Sequence, residues 1–254
     1  MKNYSGSGKY KGILAFANNS PTVRYEDIAN KTLQLASRST GLPVHLIIGQ
    51  RNDDWNNTRR DVNTNALVKW NNHSRYHAYE LSPFDETIVI DIDLLLTTDR
   101  VLKLFDNTED YVLCHSNDTL HKKDNIDFDL VWATVFMFRK TPRAKEFFDL
   151  VGRIQNNWTY YKRLFGVRVH NFRNDYAFAM AERILNGHTT SPHTRMPWGI
   201  VTADGPVKSI DINANWMVVR TQDQADILPR CDLHVMSKEW LQSPALDKFI
   251  EQAK

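Results

Sequence analysis

The chain carries only two cysteines in 254 residues, Cys114 and Cys231, far apart and in no metal-type spacing. A disulfide-stapled secreted domain and a zinc module of the usual cysteine spacing are both excluded, and a reducing cytoplasm is the expected compartment. A long apolar run is missing too. The amino terminus, MKNYSGSGKYKG, is polar and has no apolar stretch of signal-peptide length. Nothing later approaches the roughly 20 consecutive apolar residues of a membrane span, so a soluble protein is expected. An excess of one charge is also absent: 32 Lys plus Arg face 30 Asp plus Glu, a formal +2. That balance excludes a dedicated nucleic-acid binder but allows a polyanionic partner. There is no internal repeat and no low-complexity linker, so the whole of residues 1–254 is expected to form one domain.

Short apolar runs alternate with helical patterns. GILAFA (Gly12 to Ala17) is a buried strand stopped by Asn18-Asn19-Ser20-Pro21. A helical face follows from Arg24 to Arg38, closed by Gly41 and Pro43, and PVHLIIG is a second strand. Strand, helix and strand make a βαβ unit, which favours a parallel sheet with ligand groups at the strands' carboxyl ends. Gln50 to Ser74 is a polar loop whose apolar cluster at Ala66 to Val68 predicts a short helix. Later come a third strand, TIVI, running into Asp91, a short helix over Asp99 to Phe105, and the strands YVLCH and Val131 to Arg139. A long helix over Ala144 to Leu164, a helix from Asn174 to Leu185, two short strands near Ile200 and Trp216, and a terminal helix complete the order. The expected class is α/β, with a mostly parallel central sheet flanked by helices.

One pattern demands a chemical explanation. An apolar strand that ends in Asp91-Ile92-Asp93 delivers two carboxylates to one place, where each raises the other's pKa and loses hydration. A divalent cation removes that cost, and residues two apart on an extended strand share a face, so both could hold one hard cation such as Mg²⁺ or Mn²⁺ bridging a diphosphate. Arg59 and Arg60 in the polar loop are candidates to clamp a diphosphate bidentately, against a solvated basic loop. Trp198 and Gly199, with His193 and Arg195 nearby, form an aromatic and basic stretch suited to stacking on a sugar or an unpaired base and to contacting phosphate. Tyr160, Tyr161, Lys162, Arg163 and Arg168 form a second, against the alternative of core plus a solvated helix face.

The strand, Asp91-Ile92-Asp93 and the following LLLTTD resemble the DxD segment of GT-A glycosyltransferases. The blocks KGILAFANNS, FDETIVIDIDLLLTTD, VWATVFMFRK, NDYAFAMA and LHVMSKEWL are more closely similar to a group of glycosyltransferase-like proteins encoded by tailed phages. This resemblance implies a GT-A-like fold, with a donor half over residues 1–115 and an acceptor half over 116–254. It implies a nucleotide-sugar donor, UDP-linked by expectation, with Mn²⁺ or Mg²⁺. Residues Asp91, Asp93 and a late histidine, His234, would hold the metal, and the imidazole leans toward manganese. Phe16, Ala17 and Asn18 would hold base and ribose, with Tyr25 a candidate stacking partner. Asp175 would be general base toward the acceptor, in place of a plain helix cap. A phage setting makes hydroxymethylated cytosine in double-stranded DNA the first acceptor and the host cytoplasm the location. Two other classes stay open: a haloacid-dehalogenase-like phosphatase, which also uses DxD, and a nucleotide-binding module without turnover.

Overall fold

The computed structural model describes residues 10–20, 22–49, 58–60, 67–69, 75–115, 130–169, 172–189, 194–222 and 224–253. For 58–60, 67–69, 115 and 194–195 it describes the backbone only. In chain order the first elements are β1 (Lys11–Ala17), α1 (Tyr25–Thr40) and β2 (Val44–Ile48). β1 and β2 pair in parallel, as the βαβ pattern requires. Gly41 closes α1 in the left-handed conformation, its N–H bonded to Ser37 O at 2.8 Å. In the polar loop the apolar cluster is not helical: β3 (Thr58–Arg60) pairs antiparallel with β4 (Leu67–Lys69). A helix needs more than one apolar turn to bury, whereas three residues suffice for a paired strand.

A 3-10 turn, Arg75–His77, leads into the short α2 (Ala78–Leu81) and then β5 (Glu86–Ile90), whose five residues are all buried. β5 lies parallel to β1 on one side and antiparallel to β8 (Val135–Arg139) on the other. Between them in sequence come β6 (Leu94–Leu95), a 3-10 helix over Arg100–Asp106 and β7 (Tyr111–His115). The expected strand from Val131 begins only at Val135, because 131–134 turn across the end of β5. The main sheet runs β2-β1-β5-β8-β7 and ends on β9 (Thr194–Arg195). It is therefore mixed: β2-β1, β1-β5 and β7-β9 pair in parallel, while β5-β8 and β8-β7 pair antiparallel, so the mostly parallel expectation holds in part.

The long helix is also divided. α3 (Pro142–Asn156) stops at Asn157, and α4 (Trp158–Leu164) follows. α3 starts on Thr141, whose side chain accepts from Ala144 N, and on Pro142 at its first turn. It packs Phe147, Phe148, Val151 and Ile154 with α5 (Asn174–Leu185) on one face of the sheet. The other face holds α1, and the carboxyl-terminal region adds more strand than two short runs. β10 (Ile200–Ala203) pairs with β14 (Asp232–Val235), while β11 (Val207–Ile212), β12 (Trp216–Thr221) and β13 (Ala225–Pro229) form an antiparallel meander. The chain then forms α6 (Lys238–Gln242) and α7 (Pro244–Gln252), whose Leu246 and Phe249 pack into the same cluster as α1. Among the described residues no helix is long and apolar enough to cross a membrane.

Candidate functional site

The site is built where β5 stops. Asp91 follows Ile90, and its N–H bonds to Thr134 O at 2.8 Å, which closes the strand against the 131–134 segment. The chain then turns, with Leu94 N bonded to Asp91 O at 3.1 Å, so Asp91 and Asp93 meet across a turn and not along an extended strand. β6 leaves this turn and pairs antiparallel with β14, opposing Leu94 to His234. Val235 N–H bonds to Asp93 O at 2.9 Å. Thus three apolar residues after the acidic pair, Leu94 to Leu96, all buried, are the reason that a histidine 141 positions downstream reaches the carboxylates. A further clamp fixes the approach: Asp232, fully buried, accepts from the N–H groups of Thr97 and Thr98 at 2.8 and 2.9 Å. Burial pushes the Asp232 carboxyl up to about 6, against the pull of the Thr98 and Thr97 hydrogen bonds.

One ligand atom from each of Asp91, Asp93 and His234 lies within 4.8 Å of the others. His234 Nε2 is 3.4 Å from Asp93 Oδ1, and its buried Nδ1 has no hydrogen-bond partner. The Trp132 ring stands edge-on to the imidazole at 5.5 Å. Two hard oxygens and one imidazole are a donor set that Mn²⁺ accepts, and Mg²⁺ less readily, so these residues fit a divalent cation.

Two cations that the sequence pattern does not single out already face the acids. Arg75 pairs with Asp91, and Lys238 pairs with Asp93. Burial alone would raise the Asp93 carboxyl, but the Lys238 ammonium and His234 outweigh it and hold Asp93 well below the usual carboxylate range. Burial lowers Arg75 to about 10 against the field of Asp175 and Asp93, which leaves it charged at neutral pH. The Arg75 guanidinium also donates to Ala133 O, and Asp175 accepts from Ala133 N at 3.0 Å. Asp175 is the second residue of α5 and not its cap, which is Arg173. Its carboxylate reaches across to the same 131–134 segment to which the Asp91 N–H bonds. Asp91, Asp93, His234 and Asp175 are thus gathered at one end of the sheet.

The remaining expected residues divide. Ala17 and Asn18 close β1 beside the end of β2. Asn18 Oδ1 is buried without a partner and so near Gly49 that a Cβ there would lie 1.5 Å from it. Phe16 is half-buried against the α3 cluster, and Tyr25 opens α1 half-buried against the opposite one. Arg59 and Arg60 lie on β3, but their side chains, like residues 51–57 and 61–65 of the loop around them, fall outside the described residues; so do His193 and the Arg195 side chain. Trp198 is 7% exposed and belongs to the core, so it presents no open acceptor platform. On α4, Tyr160 and Leu164 are exposed, at 63% and 58%, beside exposed Arg163.

No family model and no curated protein matches the sequence. Solved structures do. An active-site mutant of LgtC aligns over 95% of this chain and 95% of its own at 12% identity and a TM-score of 0.53. A complex of the galactosyltransferase LgtC with donor and acceptor sugar analogues aligns over 67% of this chain and 69% of its own, at 12% identity and 0.45. The glycosyltransferase GlyE of Streptococcus pneumoniae TIGR4 aligns over 72% of this chain at 11% identity and 0.44; the chain spans 45% of GlyE's length. The full-length alignment to LgtC shows that this chain has the GT-A glycosyltransferase fold.

Proposed function

We propose that the protein is a metal-dependent glycosyltransferase that moves a sugar from a nucleotide diphosphate sugar to an acceptor hydroxyl. The observation that carries this is the convergence of Asp91, Asp93 and His234 within 4.8 Å at the end of the parallel half-sheet, a place where α/β folds bind ligands. Residues up to about 115 supply the donor half and the later residues the acceptor half. Asp91, Asp93 and His234 would hold Mn²⁺ or Mg²⁺, which when bound offsets the charge developing on the leaving diphosphate. Asn18, with its buried unpartnered Oδ1, would accept from a donor of base or ribose, with Phe16, Ala17 and Tyr25 the further candidates on this side of the donor half. Arg59 is kept as a diphosphate clamp.

Asp175 would act toward the acceptor. One of its oxygens accepts from Ala133 N, which fixes the carboxylate and leaves the second oxygen to take or orient the acceptor hydroxyl proton. Catalysis on this plan is electrostatic and positional: charged groups are set before the sugar arrives. The donor is taken as a UDP-sugar and the acceptor as hydroxymethylated cytosine in DNA, both on the sequence resemblance.

A thermal-shift panel tests donor binding. UDP, GDP and their sugars are each offered with Mn²⁺, with Mg²⁺ and with chelator; one nucleotide should raise the melting temperature only with metal. The shift should vanish in Asp91→Ala and Asp93→Ala variants that still melt cooperatively. A folded protein that responds to no nucleotide would sink the donor assignment.

A further inference from the structure

The two carboxylates are not waiting for a charge; each already has one. Asp91 and Asp93 carry two negative charges, Arg75 and Lys238 two positive ones, and the four side chains are between 13% and 26% exposed. Each ion pair is thus balanced in a partly desolvated place, where an unbalanced charge is costly, and the Asp175 carboxylate, which shares Ala133 with Arg75, adds to the negative side. A divalent cation arriving alone would bring two positive charges among two cations that lose their partners. A diphosphate arriving alone would meet both carboxylates, with Arg75 and Lys238 already engaged. The two together, a divalent cation with the two negative charges of a nucleotide-sugar diphosphate, leave the net charge of the cluster unchanged.

Resting on the metal reading above, we propose that Arg75 and Lys238 are exchangeable internal counter-ions that couple metal binding to diphosphate binding. Each holds one carboxylate until the cation takes its place, and each then turns to the diphosphate that enters with the cation. Arg75 is anchored for such a swing: its guanidinium also donates to Ala133 O, a contact that need not break when Asp91 is released. Lys238 is the first residue of α6, fixed by the Ser237 cap, whose hydroxyl accepts from Trp240 N at 3.4 Å, so its stem has a firm base and a flexible end. Metal affinity measured without diphosphate should therefore be weak because of Lys238 and Arg75, and not for want of ligands.

Calorimetric titration of Mn²⁺ into the full chain tests this, alone and with saturating UDP, GDP or inorganic pyrophosphate, the last chosen because it needs no base or sugar recognition. For the wild type the Mn²⁺ affinity should rise about tenfold or more with a diphosphate present. Lys238→Met keeps the stem and removes the charge: it should bind Mn²⁺ alone about tenfold more tightly than the wild type and lose most of the gain from diphosphate. Lys238→Arg keeps the charge and should behave as the wild type. Tight Mn²⁺ binding by the wild type that Lys238→Met leaves unchanged would overturn the counter-ion role while the metal site stands. Failure of every variant to bind Mn²⁺, with or without diphosphate and with cooperative melting intact, would overturn the metal site itself and the coupling with it.

Discussion

Glu86 shows what a buried acid looks like when its partners are permanent. It is 5% exposed, accepts from Arg139 Nε at 3.0 Å and lies 3.4 Å from the Lys11 ammonium, while Arg139 also donates to the carbonyls of Phe105, Asn107 and Glu109. Burial would raise the Glu86 pKa, but the bonds and charge of Arg139 and then Lys11 bring it below the ordinary value. A lowered folded pKa gives stability that is present above the unfolded value of about 4.3 and is lost as pH falls through the folded one. Melting temperature should fall as pH drops below about 4.3, and Glu86→Gln should flatten that limb. The variant should also be less stable at pH 7, because the buried Arg139 guanidinium keeps its carbonyl bonds but loses its nearest counter-charge. An unchanged acid limb would remove Glu86 from the acid response. Asp91 and Asp93 differ in kind from Glu86, since they interrupt an apolar run at a turn, and that interruption is why they were legible in the sequence. Arg75 and Lys238 were not: each is one cation among 32 Lys and Arg, with no spacing to mark it. The available signal was arithmetic, because two partly buried carboxylates require positive charge from somewhere.

Among the elements, those with a clear period or clear punctuation were readable, and those defined by partners were not. α1 has an apolar face and a Gly41 stop, and β1, β2 and β5 are apolar runs. β5 and β8 are buried at all five positions, and such a strand looks the same whether its neighbour runs parallel or antiparallel, so the mixed sheet was hidden. The break at Asn157 was hidden because aromatic and apolar residues continue at helical spacing through it. The 3-10 turn that presents Arg75 depends on a partner as well. Its next residue, Tyr76, lies against α3 at Gly152, where an added Cβ would be 2.8 Å from the ring. Gly152→Ala gains about 1 kcal/mol of helix propensity but forces a rigid ring, and the turn that carries Arg75, to move. Global stability should change little, whereas the metal-dependent nucleotide shift should shrink. A full shift in Gly152→Ala would show that the turn's position is not critical.

At the scale of the whole molecule, charge is unevenly placed. Residues 150–174 hold five Lys or Arg and no Asp or Glu, so with a chain total of +2 the remaining residues sum to −3. This stretch includes α4, with Tyr160, Arg163 and Leu164 exposed, and it leads directly into Asp175. The start of α4 touches the start of α5, the Trp158 ring lying 5.4 Å from Phe172 and 6.5 Å from Tyr176. If DNA is the acceptor, its backbone should follow this path. Binding of a labelled duplex should weaken about tenfold or more between 50 and 200 mM salt, as two or three phosphate contacts require. The paired reversals Lys162→Glu and Arg163→Glu should reduce it further while leaving the nucleotide shift intact. Duplex binding insensitive to both would turn the acceptor toward an uncharged glycan.

The most direct measurement is release of nucleoside diphosphate from a panel of nucleotide sugars, with Mn²⁺ and with chelator, by the wild type and by Asp93→Asn. Metal-dependent release from one donor, abolished by chelator and reduced at least about a hundredfold in a folded Asp93→Asn variant, is the expected result. Release that survives chelator or Asp93→Asn, or a folded wild type that cleaves no donor, would contradict a glycosyltransferase working through this site.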